Sequence, residues 1–96
     1  MITKNDFKIK QFTDIRKILD TELEEGLKRE LENYYPSEEL ITIELMNTSH
    51  IPVSDDVREH VKNRLIDVHG FDWDDLHSIY KMEDNTTNIF VRVYVG

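Results

Sequence analysis

Cysteine is missing from all 96 residues. Its absence excludes disulfides, thiolate zinc sites and a cysteine nucleophile. Alanine is missing too, although it is among the commonest residues of ordinary globular proteins. The three glycines are isolated from one another, so no glycine-rich loop exists to cradle a phosphate. No serine sits in a strand–turn–helix elbow of the kind that exposes a nucleophile. No apolar run approaches the roughly eighteen residues that a membrane-spanning helix needs. The opening MITKNDFKIK has lysines but no apolar stretch behind them. It is therefore not expected to be a secretory signal, and the cytoplasm is the expected compartment.

Isoleucine, lysine, asparagine, phenylalanine and tyrosine are plentiful where alanine, glycine and proline are scarce. That is the amino-acid usage of AT-rich coding DNA, and it points to a low-GC bacterium or its phages and plasmids. A chain of 96 residues makes one domain. At that size folding buries somewhat over 60% of the surface of the unfolded chain, enough for one modest core. The formal net charge is −8, and it is unevenly spread. Residues 1–19 hold five lysines and arginines against two aspartates, so the remainder holds seven basic residues against eighteen acidic ones.

Residues 1–11 are basic and sparsely apolar. The alternation Phe7, Ile9, Gln11 predicts either a short edge strand or a frayed arm. Residues 13–35 give the clearest helical signal. Ile15, Leu19, Leu23, Leu27 and Leu31 recur every four, beside Ile18, Gly26 and Tyr34. Thr13 or Asp14 is the expected cap, and Pro36 the expected stop. Glu24 with Lys28 and Glu25 with Arg29 are candidate i,i+4 pairs, each worth about 0.2–0.5 kcal/mol, so the stripe must hold the helix. Residues 40–46, LITIELM, alternate as a half-buried strand with Ile41, Ile43 and Leu45 inward. A second helix is expected from the cap Ser54, with Val57, Val61, Leu65 and Val68 buried. Gly70 then suits the left-handed C′ position, and Phe71 would fold back on Ile66 in a Schellman closure. From Ser78 a hairpin is expected, pairing Ile79–Glu83 with Ile89–Val95 across the turn EDNTTN.

The elements compose an α+β fold in a single small domain, ordered (β)-α-β-α-β-β. Strand, helix and strand over 40–83 make a right-handed crossover unit. With the C-terminal strand central and antiparallel to both its neighbours, the sheet is a split β-α-β. If both helices lie on one sheet face, the other presents either Phe90, Arg92 and Tyr94 or the valine row. If they lie on opposite faces, both sides are covered.

The stretch HGFDWDDLH at 69–77 is the densest group of chemically capable side chains. His69, Asp72, Asp74, Asp75 and His77 are the right residue types for zinc or manganese. Two histidines eight apart across a helix stop, however, lack the spacing that places ligands on one helix face. The plainer reading is a single capped turn, with Asp72 at its start, Asp75 three residues on and Trp73 or Leu76 turned inward. His50 is a loop residue and His60 a boundary residue of the second helix. Glu59 adjoins His60 in sequence but points elsewhere, so no acid–base pair is legible.

Net negative charge repels nucleic acid at long range, which disfavours direct nucleic-acid binding. The same charge keeps a small protein soluble, and acids held on rigid elements can also imitate a phosphate backbone. The expected function is therefore that of a non-catalytic acidic binding or regulatory module, docking on another macromolecule and needing no cofactor. Another protein is the expected partner, a homodimer a further choice, and no membrane is involved. A nucleic-acid-mimicking inhibitor from a phage or mobile element is the sharper form. The partner-binding residues would be Asp72, Trp73, Asp74, Asp75, Phe90 and Tyr94, with the aromatics as desolvated anchors and the aspartates steering. The alternative is a small metal-dependent hydrolase using His69, Asp72, Asp74 and His77.

Overall fold

In the computed structural model, which describes residues 1–84 and 86–96, the first element begins well ahead of its apolar stripe. Helix α1 spans Lys4–Glu32, 29 residues or about 43 Å. Residues 1–11 are thus neither an edge strand nor a frayed arm, because Lys4 to Gln11 are helical. A capping box explains the start. The Thr3 N–H donates to Asp6 Oδ2 at 2.7 Å, and the Asp6 N–H donates to Thr3 Oγ1 at 3.4 Å. Extending a helix already nucleated on the core costs little per residue, and this outweighs the short alternation of Phe7 and Ile9. Thr13, the expected cap, instead donates its hydroxyl to the Ile9 carbonyl at 2.9 Å from mid-helix.

Only the middle of the α1 stripe is buried. Leu19, Leu23 and Gly26 are inaccessible, Ile15 and Leu27 are half-buried, and Leu31 is 76% exposed. At Gly26 the helix comes so close to β1 that a Cβ there would collide with Cγ2 of Ile43. The two expected i,i+4 pairs do not form in that pattern. Lys28 reaches Glu25 at 3.6 Å, and Arg29 donates to the Glu44 carbonyl at 2.7 Å, tying α1 to the sheet.

Strand β1 (Leu40–Leu45) is followed by α2 (Asp55–Asp67), a short 3-10 turn (Trp73–Asp75), β2 (Leu76–Tyr80) and β3 (Ile89–Tyr94). The sheet order is β1-β3-β2 with β3 antiparallel to both neighbours, so β1-α2-β2 is the split crossover expected of the sequence. Ser54 Oγ accepts from the Val57 N–H at 3.2 Å and starts α2. Its buried row is Val57, Val61 and Leu65, whereas Val68 is 50% exposed because the helix has already ended. Gly70 takes φ +75°, as a helix stop requires. The closing bond differs from a Schellman closure by one residue: the Phe71 N–H donates to the Leu65 carbonyl at 3.1 Å rather than to Ile66. β2 starts at Leu76 and ends at Tyr80, three residues earlier at each end than the expected Ile79–Glu83. Asn85, within the expected EDNTTN turn, lies outside the described residues.

The core is one layer between the helices and one sheet face. Ile41, Ile43 and Leu45 from β1, Ile79 from β2 and Ile89, Val91 and Val93 from β3 meet Leu19 and Leu23 of α1 and Val57, Val61 and Leu65 of α2. Thr48 is the polar residue buried among them. Its hydroxyl donates to the Leu45 carbonyl and accepts from the Ile89 N–H at 2.9 Å, pinning the exit of β1 to the entry of β3. The Thr48 N–H donates in turn to Asn88 Oδ1 at 3.1 Å. Both helices therefore occupy the same sheet face. Among the described residues, no helix is long and apolar enough to cross a membrane.

Candidate docking surface

Because side chains alternate along a strand, burial of Ile89, Val91 and Val93 turns Phe90, Arg92 and Tyr94 to the other sheet face. The cross-strand register sets Glu44 and Tyr80 beside Phe90, Thr42 and Ser78 beside Arg92, and Leu40 beside Tyr94. Among the described residues, no helix covers this side. Tyr80 and Phe90 stack with ring centroids 5.6 Å apart and planes 20° from parallel. A bulge between Leu76 and Ser78 admits His77 to the same side, where its ring meets Tyr94 edge-on at 5.7 Å. His77 Nδ1 lies 3.1 Å from Ser78 Oγ. Phe90 and Arg92 are half-buried by these neighbours, and Tyr94 is 41% exposed. The face is thus a rigid, partly aromatic platform with one guanidinium at its centre.

The acidic stretch forms the capped turn that its spacing suggests. The Asp72 N–H donates to Asp75 Oδ2 at 2.8 Å, and the Asp75 N–H donates to the Asp72 carbonyl at 3.0 Å. Leu76 packs against the core, while Trp73 stays outside at 66% exposure. The Trp73 indole is held by Lys62 of α2, whose Nζ sits 3.8 Å above the ring centroid. This cation–π contact places Trp73 beside α2, and so away from the platform that Phe90 and Tyr94 share. Asp72 and Asp75, by contrast, line a recess of about 460 Å³ together with Tyr94 and His69. Of the six residues expected to form one patch, Asp72, Asp75 and Tyr94 are brought together. Phe90 continues the platform, Asp74 is exposed at the tip of the turn, and Trp73 faces a different neighbour.

The ligand set His69, Asp72, Asp74 and His77 does not converge. His69 follows the end of α2 and also borders a groove with Leu27, Leu31 and Phe71, whereas His77 rests on Tyr94. The carboxylate of Asp75 is engaged by the Asp72 N–H. Among the described residues, no three His, Asp or Glu side chains are grouped so as to hold a metal ion.

One polar cluster has no local sequence signal. His60 Nε2 lies 2.7 Å from Asp20 Oδ1, and Arg64 Nε lies 3.7 Å from the same oxygen. Asp20 and His60 are forty residues apart, so only the packing of α1 on α2 joins them. A carboxylate on an imidazole can orient a general base. Here the imidazole is clamped between two helices, and among the described residues it has no hydrogen bond to a hydroxyl that could act as nucleophile. The cluster is an inter-helix tie. A second recess, of about 590 Å³, gathers His50, Arg58, Tyr80 and Lys81 beyond the Tyr80 end of the platform, with Lys81 donating to the Ser49 carbonyl at 2.7 Å. No family model, curated protein or solved structure matches the chain.

Proposed function

We propose that the chain is a non-catalytic docking module that binds another protein through the open sheet face and the acidic turn at its edge. One observation carries this: both helices lie on one side of the sheet, leaving Tyr80, Phe90, Arg92 and Tyr94 without a covering layer. Rigid aromatics supply contact area at small entropic cost, and Tyr is enriched at such sites. Asp72 and Asp75 beside Tyr94, with Asp74 exposed on the same turn, in a chain of net charge −8, favour a partner with a basic surface. Arg92 supplies a donor for a carbonyl or carboxylate within the contact. The basic surface that fits best is a groove that otherwise holds nucleic acid, so that the chain competes as an acidic inhibitor. Direct binding of nucleic acid is opposed by the same charge. The amino-acid usage accords with a low-GC bacterium or its mobile elements.

The test places a photo-crosslinking residue at position 94 and asks what it captures. Capture should fall with rising salt, because surface charges are screened beyond a Debye length of about 8 Å at physiological ionic strength. It should also fall with Asp74→Lys and with an added duplex oligonucleotide. Capture that resists salt and oligonucleotide yet fails with Phe90→Ala would keep the platform and remove the mimicry. Capture indifferent to both substitutions would remove the whole reading.

A further inference from the structure

The stripe of α1 that packs on the core outruns the core. Leu19 and Leu23 are buried and Ile15 is half-buried, but the same row continues one and two turns earlier into Phe12 and Ile9. Ile9 is 57% exposed, and Phe12 is half-buried with the Arg16 guanidinium 4.4 Å above its ring. Phe7 projects from another side of the helix at 69% exposure. The arm is also the basic part of the molecule: residues 1–19 carry an excess of three positive charges, and the other residues an excess of eleven negative ones. Extension from the core holds this backbone helical at little cost, but it leaves Ile9 largely in water. Covering the partly apolar, basic arm is therefore favourable.

At the other end of α1 is a surface of the opposite kind. Leu27, Leu31, Tyr34 and Phe71 line a mostly apolar groove of about 410 Å³, and Glu30 is on its wall. Leu31, 76% exposed, is the open lip of that groove. The arm cannot reach its own groove. Ile9 and Leu27 lie eighteen residues apart on one continuous helix, which holds them about 27 Å from each other. Only the groove of another molecule is within reach.

We propose that the occupant of this groove is the arm of a second copy of the chain. Ile9 and Phe12 seat among Leu27, Leu31, Tyr34 and Phe71, with Lys8, and Arg16 once it swings off the Phe12 ring, meeting Glu30 on the groove wall. The complementarity is double, apolar row to apolar groove and basic arm to acidic body, so orientation and attraction agree. The contact joins different surfaces of the two copies. It therefore closes into a dimer when two chains exchange arms, and extends into longer chains when they do not. It uses neither Phe90 nor Tyr94, and it stands or falls independently of docking through the open sheet face.

Sedimentation of the full chain across a concentration series tests the proposal. The molar mass should rise above that of the monomer, and the rise should weaken as salt increases. Ile9→Glu damages the arm and Leu31→Glu the groove, both at exposed positions, so circular dichroism and the melting temperature should confirm folded protein. Each variant alone should associate at least tenfold more weakly. An equimolar mixture of the two should recover association, because the intact arm of Leu31→Glu meets the intact groove of Ile9→Glu. A wild-type chain that stays monomeric throughout overturns the proposal. So does self-association left intact by both variants, or abolished by Tyr94→Ala, or a mixture no better than its components.

Discussion

Strand β3 shows two surfaces built from one run of six residues. Ile89, Val91 and Val93 are fully buried beneath the helices, while Phe90, Arg92 and Tyr94 between them lie on a face that no helix covers. Both sets are bulky and both suit a strand, so propensity does not separate them. They differ in what lies above them. On the inner side, each aliphatic group is enclosed by α1 or α2 side chains and contributes through transfer from water and close packing. On the outer side, the aromatics lean on one another, Tyr80 on Phe90 and His77 on Tyr94, with no helix above them among the described residues. Most of the packing that holds the fold therefore lies on the inner face.

Substitutions on the two faces should therefore differ sharply in cost. Ile43→Ala, inside, should remove about 2–5 kcal/mol through the cavity it leaves, and denaturant titration measures it directly. A loss under 1 kcal/mol would mean that the helices pack loosely on the sheet. Thr48→Val should cost about 1–3 kcal/mol, because the Ile89 N–H is left buried without its hydroxyl acceptor. Phe90→Ala, outside, should cost about 1 kcal/mol by loss of the Tyr80 stack, a fall of about 4–8 °C in melting temperature for a domain of this size. Tyr94→Ala should stay within about 0.5 kcal/mol of wild type and act on binding alone. The smallest effect is expected from metal: zinc, manganese or a chelator should leave the melting temperature unchanged. A bound metal would raise it by mass action and would reinstate His69 and His77 as ligands.

The split β-α-β topology was legible because its signals are local and strong: the four-residue recurrence from Ile15 to Leu27, the alternation of β1 and β3, Ser54 before Asp55 and Gly70 after α2. The capped turn at Asp72 was legible for the same reason. The misplaced boundaries were those where a local pattern met a non-local cause. Residues 4–11 look indifferent alone but extend a helix that the core has already nucleated. Leu31 keeps the period of its stripe yet lies past the core, and Val68 lies past the end of α2. The tie of Asp20 to His60, and the separation of Trp73 from Phe90 by the pull of Lys62, depend on residues remote in sequence.

By itself, the sequence determined which side chains share a face, where α2 starts, and that acidic charge dominates everything after the first nineteen residues. These follow from backbone geometry and composition, which act over a few residues at a time. Only the tertiary structure decided that both helices cover the same side of the sheet, that the aromatic row is therefore the uncovered one, and that the first turns of α1 project past the core. Those outcomes depend on how much apolar surface each layer has to cover. That is a property of the assembled elements, which no single segment carries.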